Sequence, residues 1–192
     1  MDYQKYKWFF TSRGKLVVGG KNADQNDELL KKLKESKKEH YVMHTKEPGS
    51  PFCIIISEID KVSKEDIEEC AVFTGCFSKA WKHGKKKTEV SIFKLSQLKK
   101  SKEMKTGSWR VIGNVDRKNV EMKLVLTKQK NILRAVPEKS ADKKEILAKI
   151  EPGKIDKKEA VVGIALEING GEVSNNELLA ALPAGGVRIV RK

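Results

Sequence analysis

The amino-acid sequence predicts an α/β fold of the α+β kind: a mixed β-sheet with flanking helices, and a small C-terminal α/β extension. Two observations carry that expectation. Short runs rich in β-branched and aromatic residues alternate with glycine turns through the first half, and longer segments between them repeat apolar residues at helical spacing. The length agrees, because 192 residues bury a normal core in one substantial domain, or in one domain with an appendage.

In chain order, Trp8, Phe9 and Phe10 alternate on a first strand, one face of which must be buried. Residues 15–18 form a second strand ending in Gly19 and Gly20, where the backbone is free to take positive φ or to approach a ligand closely. Leu29, Leu30 and Leu33 then recur at helical spacing, with Asn22 or Asp24 placed as the cap and Asp27 and Glu28 in the first turns. Residues 40–56, H-Y-V-M-H-T-K-E-P-G-S-P-F-C-I-I-I, read as strand, glycine-containing turn, strand. Ser63 caps the next helix, followed by Glu65 and Asp66 and by one apolar stripe of Ile67, Cys70, Ala71, Phe77 and Trp81. That stripe assigns Trp81 to the core.

A polar break after Pro137 sets the expected boundary between a domain over 1–137 and an extension over 138–192. Within the extension, Ile146, Leu147 and Ile150 predict a short helix ended by E-P-G-K, and residues 160–168 a strand. Ser174 caps a helix through Leu182, and residues 187–190 form a last strand. The extension either packs on the main sheet or forms its own lobe.

Chemistry concentrates first at residues 16–27, L-V-V-G-G-K-N-A-D-Q-N-D, where a strand runs through paired glycines into a helix start. Backbone N–H groups there, with Lys21, favour a phosphate or carboxylate, while the neighbouring acids oppose one. The run is neither a P-loop nor a G-x-G-x-x-G fingerprint, and a plain strand-to-helix turn is the alternative reading.

Charge points to a polyanionic partner: 40 Lys and Arg stand against 26 Asp and Glu, a net charge of +14. Lysines crowd one region, at positions 79, 82, 85, 86, 87, 94, 99, 100, 102 and 105, and would supply a salt-sensitive, sequence-independent binding term. A solvated loop is the alternative. Trp109, just after Gly107, is placed to stack a base.

Catalysis finds little support. His40 and His44, on one strand, start about 13 Å apart at roughly 3.3 Å per residue, too far to share one ion. Cys70 and Cys76 lack C-x-x-C spacing, and no H-x-x-x-H helix or G-x-S-x-G elbow is present. No cofactor or metal is expected. Three cysteines, Cys53, Cys70 and Cys76, in apolar surroundings fit a reducing cytosol, and the absence of a signal-like start or a long apolar run leads to a cytoplasmic expectation.

Taken together, the order G-K-N-x-x-Q-N-D, then H-T-K-E-P-G-S, then a helix ending F-S-K-A-W, then L-K-K and T-G-S before a strand resembles the NFACT-R domain family over residues 3–137. That family is the RNA-binding module near the C-terminus of ribosome-associated quality-control proteins, and it also occurs free-standing. Its first motif is matched by Gly20, Lys21, Asn22, Gln25 and Asn26, and its second by His44, Thr45, Lys46, Pro48, Gly49 and Ser50. Bacterial members place a histidine after the G-S pair; this chain has Pro51-Phe52, a form closer to archaeal and eukaryotic relatives, so no role of that histidine carries over. The ending E-L-L-A-A-L-P-A-G-G-V-R-I-V is similar to extensions of archaeal members, whereas nothing resembles the large N-terminal domain of full-length ones.

The resemblance implies a non-catalytic module that binds structured RNA, tRNA or rRNA, with the large ribosomal subunit and a separate protein as further candidate partners. The expected site joins Gly20, Lys21, Asn22, Gln25 and Asn26 to His44, Lys46, Gly49 and Ser50, with Lys99, Lys100, Lys102 and Lys105 extending the charge. In it, Asn22, Gln25 and Asn26 bond phosphate, sugar or base edges, and His44, Gly49 and Ser50 either bind or hold the turn. A DNA- or anionic-surface-binding module, or a protein-interaction adaptor, is the alternative.

Overall fold

Alternating side chains decide the architecture of the first half. The computed structural model describes residues 1–168 and 173–190. Its elements are β1 (Lys7–Phe10), β2 (Leu16–Gly19), α1 (Ala23–Glu35), β3 (Tyr41–Thr45), β4 (Cys53–Ile55), α2 (Lys64–Cys76), α3 (Lys79–Lys82), β5 (Lys87–Lys94), β6 (Leu98–Lys99), β7 (Arg110–Val111) and β8 (Asp116–Glu121). They continue with β9 (Leu124–Gln129), β10 (Ile132–Val136), β11 (Ala148–Asp156), α4 (Lys157–Glu167), α5 (Asn175–Ala181) and β12 (Gly186–Val190).

A six-stranded antiparallel sheet runs β1-β2-β4-β3-β5-β8. Because neighbouring residues on a strand face opposite ways, Trp8, Val18, Val42, Ile54 and Phe93 meet Leu29, Leu30 and Leu33 of α1 on one face. Phe9, Val17, Met43, Ile55 and Ile92 meet Cys70, Ala71 and Phe73 of α2 on the other. Each such Leu or Phe contributes about 1.5–3 kcal/mol by leaving water. The α+β class holds.

α2 starts as expected, with Ser63 Oγ accepting from Asp66 N at 3.1 Å and the Asp66 carboxylate accepting from Ser63 N at 2.9 Å. Asp66 and Glu69 are both buried on this helix and clamp the β1–β2 turn, Thr11 donating to Asp66 and Ser12 to Glu69, and Glu69 also accepts from Ser140 beyond β10. The apolar stripe is divided, however. α2 ends at Cys76, and Ser78 caps the separate α3 by accepting from Ala80 N at 3.1 Å. Trp81 is fully buried, as expected of a core residue, and its indole N–H donates to Gly186 O at 3.0 Å.

The second sheet, β10-β9-β11-β12, is also antiparallel and straddles Pro137, so the expected boundary there does not coincide with a boundary between sheets. Val125 and Val136 join the core beneath α2, while Trp81 and Ala80 join the core of the second sheet. The extension thus completes a sheet begun by β9 and β10.

Two expectations in this region are corrected. The short helix expected over residues 146–150 is replaced by the start of β11: Ala148 and Ile150 are buried at period two and pair with β9, and Pro152-Gly153 sits at a bulge against β12. Residues 160–168 lie in α4 and its cap, where Ala160, Val161 and Ile164 recur at helical spacing and Asp156 caps by accepting from Lys158 N. Burial on the second sheet overrides the strand preference of the β-branched residues. The α5 helix is capped by Ser174 and β12 follows, as the sequence indicates.

Candidate nucleic-acid interface

Pairing of Gly19 with Cys53 sets the end of β2 beside the start of β4, and so brings the first glycine turn against the second. Together with residues 106–109 they line one open cleft of about 670 Å³. Its cationic groups come from Lys7, Lys21, Lys46 and Arg117, on four different segments.

The first turn is held by its own side chains. Asn22 Oδ1 accepts from Gln25 N at 2.9 Å, and Gln25 Oε1 accepts from Lys21 N at 3.0 Å, a reciprocal helix cap. Asn26 Oδ1 crosses to the second turn and accepts from Phe52 N at 3.2 Å. The acceptor oxygens expected to meet RNA are therefore engaged in fixing the two turns. Gly20 does not adopt positive φ; its role is space, since a Cβ there would overlap the side-chain oxygen and backbone nitrogen of Asn26.

In the second turn, Ser50 Oγ accepts from Thr45 N at 2.9 Å, so Ser50 closes the turn. Gly49 does adopt positive φ, at +113°, and its carbonyl accepts from Lys79 N at 2.9 Å. His44 is half-buried, its ring centroid 4.5 Å from that of Phe52 and its Nδ1 2.7 Å from the Thr45 carbonyl. A carbonyl only accepts, so Nδ1 carries the proton. Burial pushes the His44 pKa down, partly opposed by the backbone contacts, which leaves a neutral ring with Nε2 as an acceptor.

Lys46 and Arg117 face each other across Glu89. Oε1 of Glu89 is enclosed without a hydrogen-bond donor and lies 3.5 Å from Lys46 Nζ and 3.8 Å from Arg117 Nε. Lys7 lies over the Phe77 ring at 5.1 Å, and burial lowers its pKa.

The third segment is anchored by Asp27. Its Oδ1 accepts from Gly107 N at 3.1 Å and from Trp109 Nε1 at 2.8 Å, while Oδ2 pairs with Lys100 Nζ at 2.7 Å. Burial alone would raise the Asp27 pKa; hydrogen bonds from Lys100 and Trp109, with the Lys100 charge, outweigh it and hold the carboxyl below its ordinary range. Lys100 Nζ also donates to the carbonyls of Lys105 and Ser108. Lys100 is thus a structural cation inside the loop rather than a free charge for a ligand.

The lysine-rich stretch disperses in space. Lys79 and Lys85 border the second turn, Lys85 pairing with Glu47 at 3.1 Å, and Lys82 and Lys86 line a separate recess beside β12. Lys99 and Lys102 rim a groove next to the main cleft, and Lys105 is exposed. Sequence reasoning missed Lys7, Arg117 and the helix lysines Lys31 and Lys34, whose approach needs the folded sheet. Asp27 was visible in the Q-N-D run, but its loop partner lies 82 residues away.

Among the described residues, no group of three His, Cys, Asp or Glu side chains is placed to hold a metal ion, and no helix is long and apolar enough to cross a membrane. The cysteines are free and buried, and burial pushes the Cys53 thiol up to about 12.

Residues 5–113 match the model of the NFACT protein RNA binding domain, and the chain belongs to that family. The match covers all three segments of the cleft. The chain is also 28% identical over 200 aligned positions to the archaeal Rqc2 homolog aRqcH of Methanocaldococcus jannaschii, covering 99% of this chain and 29% of that protein's length. Among solved structures, it is similar to the C-terminal part of the fibronectin/fibrinogen-binding protein of Streptococcus suis, at 25% identity and a TM-score of 0.51, over 63% of this chain and 46% of that one.

Proposed function

We propose that this chain is a non-catalytic RNA-binding module acting in ribosome-associated quality control, and that its ligand is structured RNA, tRNA or rRNA, including rRNA of the large subunit. The observation that carries the reading is convergence: three motif segments far apart in sequence line one cleft with cations from four segments at its margin. The family supports RNA as the ligand, and the archaeal Rqc2 homolog supports the cellular setting.

In this reading Lys21, Lys46 and Arg117 meet backbone phosphates, each contact releasing counterions and adding about 0.7–0.9 to the slope of log K against log salt. The internally capped turns supply a rigid shape rather than direct bonds. Neutral His44 offers Nε2 as an acceptor to a 2′-hydroxyl, a contact that DNA cannot supply. A soluble, cytoplasmic partner complex fits this role.

The test is binding of labelled tRNA, rRNA stem-loops and matched DNA across a salt series, with the Lys21→Ala/Lys46→Ala double variant beside the native chain. Selective, salt-dependent RNA binding that the variant loses is expected. Unchanged binding by a folded variant removes the cleft as the site, and equal weak binding of all polyanions reduces the function to a basic surface.

A further inference from the structure

Trp109 lines both the main cleft and a neighbouring groove of about 640 Å³. The groove has an unusual composition for a basic surface. Leu98, Met104 and Trp109 contribute apolar and aromatic walls, and Lys31, Lys99 and Lys102 stand around them. Lys34 joins them with its Nζ donating to Leu95 O at 2.9 Å. The volume lies within the roughly 300–1,000 Å³ of pockets that hold small organic groups.

The tryptophan is held rigidly. Its Nε1 is fixed on Asp27 at 2.8 Å, and Lys100 Nζ sits over the ring, 5.4 Å from its centroid, while bonded to the same carboxylate. A half-buried indole locked at its polar edge loses little entropy when a second ring stacks on it. Aromatic walls with a cationic rim are what an unpaired nucleotide requires, the base stacking and the flanking phosphates meeting lysines. An A-form duplex cannot use them, since its bases are already stacked and inaccessible. An acidic peptide would satisfy the lysines and leave the indole unused.

We infer that this groove binds an unpaired nucleotide of the RNA, its base stacked on Trp109 and its phosphates on Lys31, Lys99 and Lys102, so that the module selects RNA with a loop, bulge or single-stranded end. The inference rests on the RNA-binding reading above and adds the class of RNA.

Tryptophan emission tests it directly, because Trp8 and Trp81 are 1% and 0% exposed and only Trp109 lies at the groove. The native chain is titrated with a hairpin RNA bearing an unpaired loop, with a blunt RNA duplex of equal phosphate number, and with polyglutamate. Expected are quenching by the hairpin alone and roughly tenfold tighter hairpin binding, the size of one base–aromatic stack. Trp109→Leu, which keeps an apolar filler, abolishes the preference, and Trp109→Phe, which keeps a ring but loses the Asp27 anchor, retains only part of it.

Equal affinity for both RNAs with unchanged emission overturns the inference while leaving RNA binding in place. Equal quenching by polyglutamate also overturns it. Binding of neither RNA overturns both this inference and the function on which it rests.

Discussion

The indole N–H of Trp109 donates to Asp27 Oδ1 across 2.8 Å, tying the basic loop to the second turn of α1. The same carboxylate takes Gly107 N and Lys100 Nζ, so one residue of the helix holds this loop at Lys100, Gly107 and Trp109. With Lys100 and Asp27 side chains only 16% and 10% exposed, this is a largely enclosed ion pair. Hydrogen bonds to charged groups contribute about 1.5–3 kcal/mol. Asp27→Asn is therefore expected to lower the stability by about that much in urea unfolding, and to make residues 100–109 the first site of limited proteolysis.

Acid should erase that difference. The Asp27 pKa in the folded chain lies below its ordinary value of 3.8. A carboxyl depressed by folding contributes its full stabilisation above about pH 4 and loses it as pH falls through the folded value. The stability gap between the native chain and Asp27→Asn should thus be constant from pH 7 to 5 and close below pH 4. A gap that does not narrow as the pH falls below 4 contradicts an ionic role.

Gly20→Ala probes the join between the two turns. The added Cβ would overlap Asn26 Oδ1, which holds Phe52 N, and the Asn26 backbone nitrogen, which cannot yield as a flexible side chain would. Overpacking of this kind costs about 1–3 kcal/mol. Thermal unfolding should show the loss, and amide exchange at Phe52 should quicken more than at the remote β10.

Glu89 restrains two cations at the cleft, at 3.5 Å from Lys46 and 3.8 Å from Arg117. Neutralising it frees both for phosphate. Partly exposed pairs contribute about 0.2–1 kcal/mol, so Glu89→Gln should tighten RNA binding by roughly two- to fivefold and steepen the salt dependence. Weaker binding would place Glu89 among the contacts RNA needs.

His44 should titrate below its ordinary 6.5, because burial opposes the cation. For a base depressed by folding, the stabilisation is fully present above pH 6.5 and is lost as pH falls through the folded value. Ring-proton shifts measured against pH should give a midpoint under 6.5 and show the Nδ1–H tautomer at neutral pH. A midpoint above 7 would instead make His44 a phosphate-binding cation.

Features governed by neighbours in the chain were legible without coordinates. The caps at Asn22, Ser63 and Ser174, the alternation of Trp8 and Phe9, the closing role open to Ser50 and the core position of Trp81 all follow from local hydrogen bonding or from residue spacing. Motif order alone led to the family, and the two glycine turns were expected side by side. Features that depend on which surfaces meet were not legible. Residues 148–156 became a strand because β9 offers an open edge, and residues 157–167 became a helix because the second sheet offers an apolar face. Lysines adjacent in sequence scattered over three surfaces, while Lys7, Lys21, Lys46 and Arg117 gathered at one cleft. The sequence by itself determined the class of fold, the turns and the sign of the charge, since these rest on short-range chemistry. Only the tertiary structure decided where the charge converges and which acid fixes Trp109, since both depend on strand pairing between segments tens of residues apart.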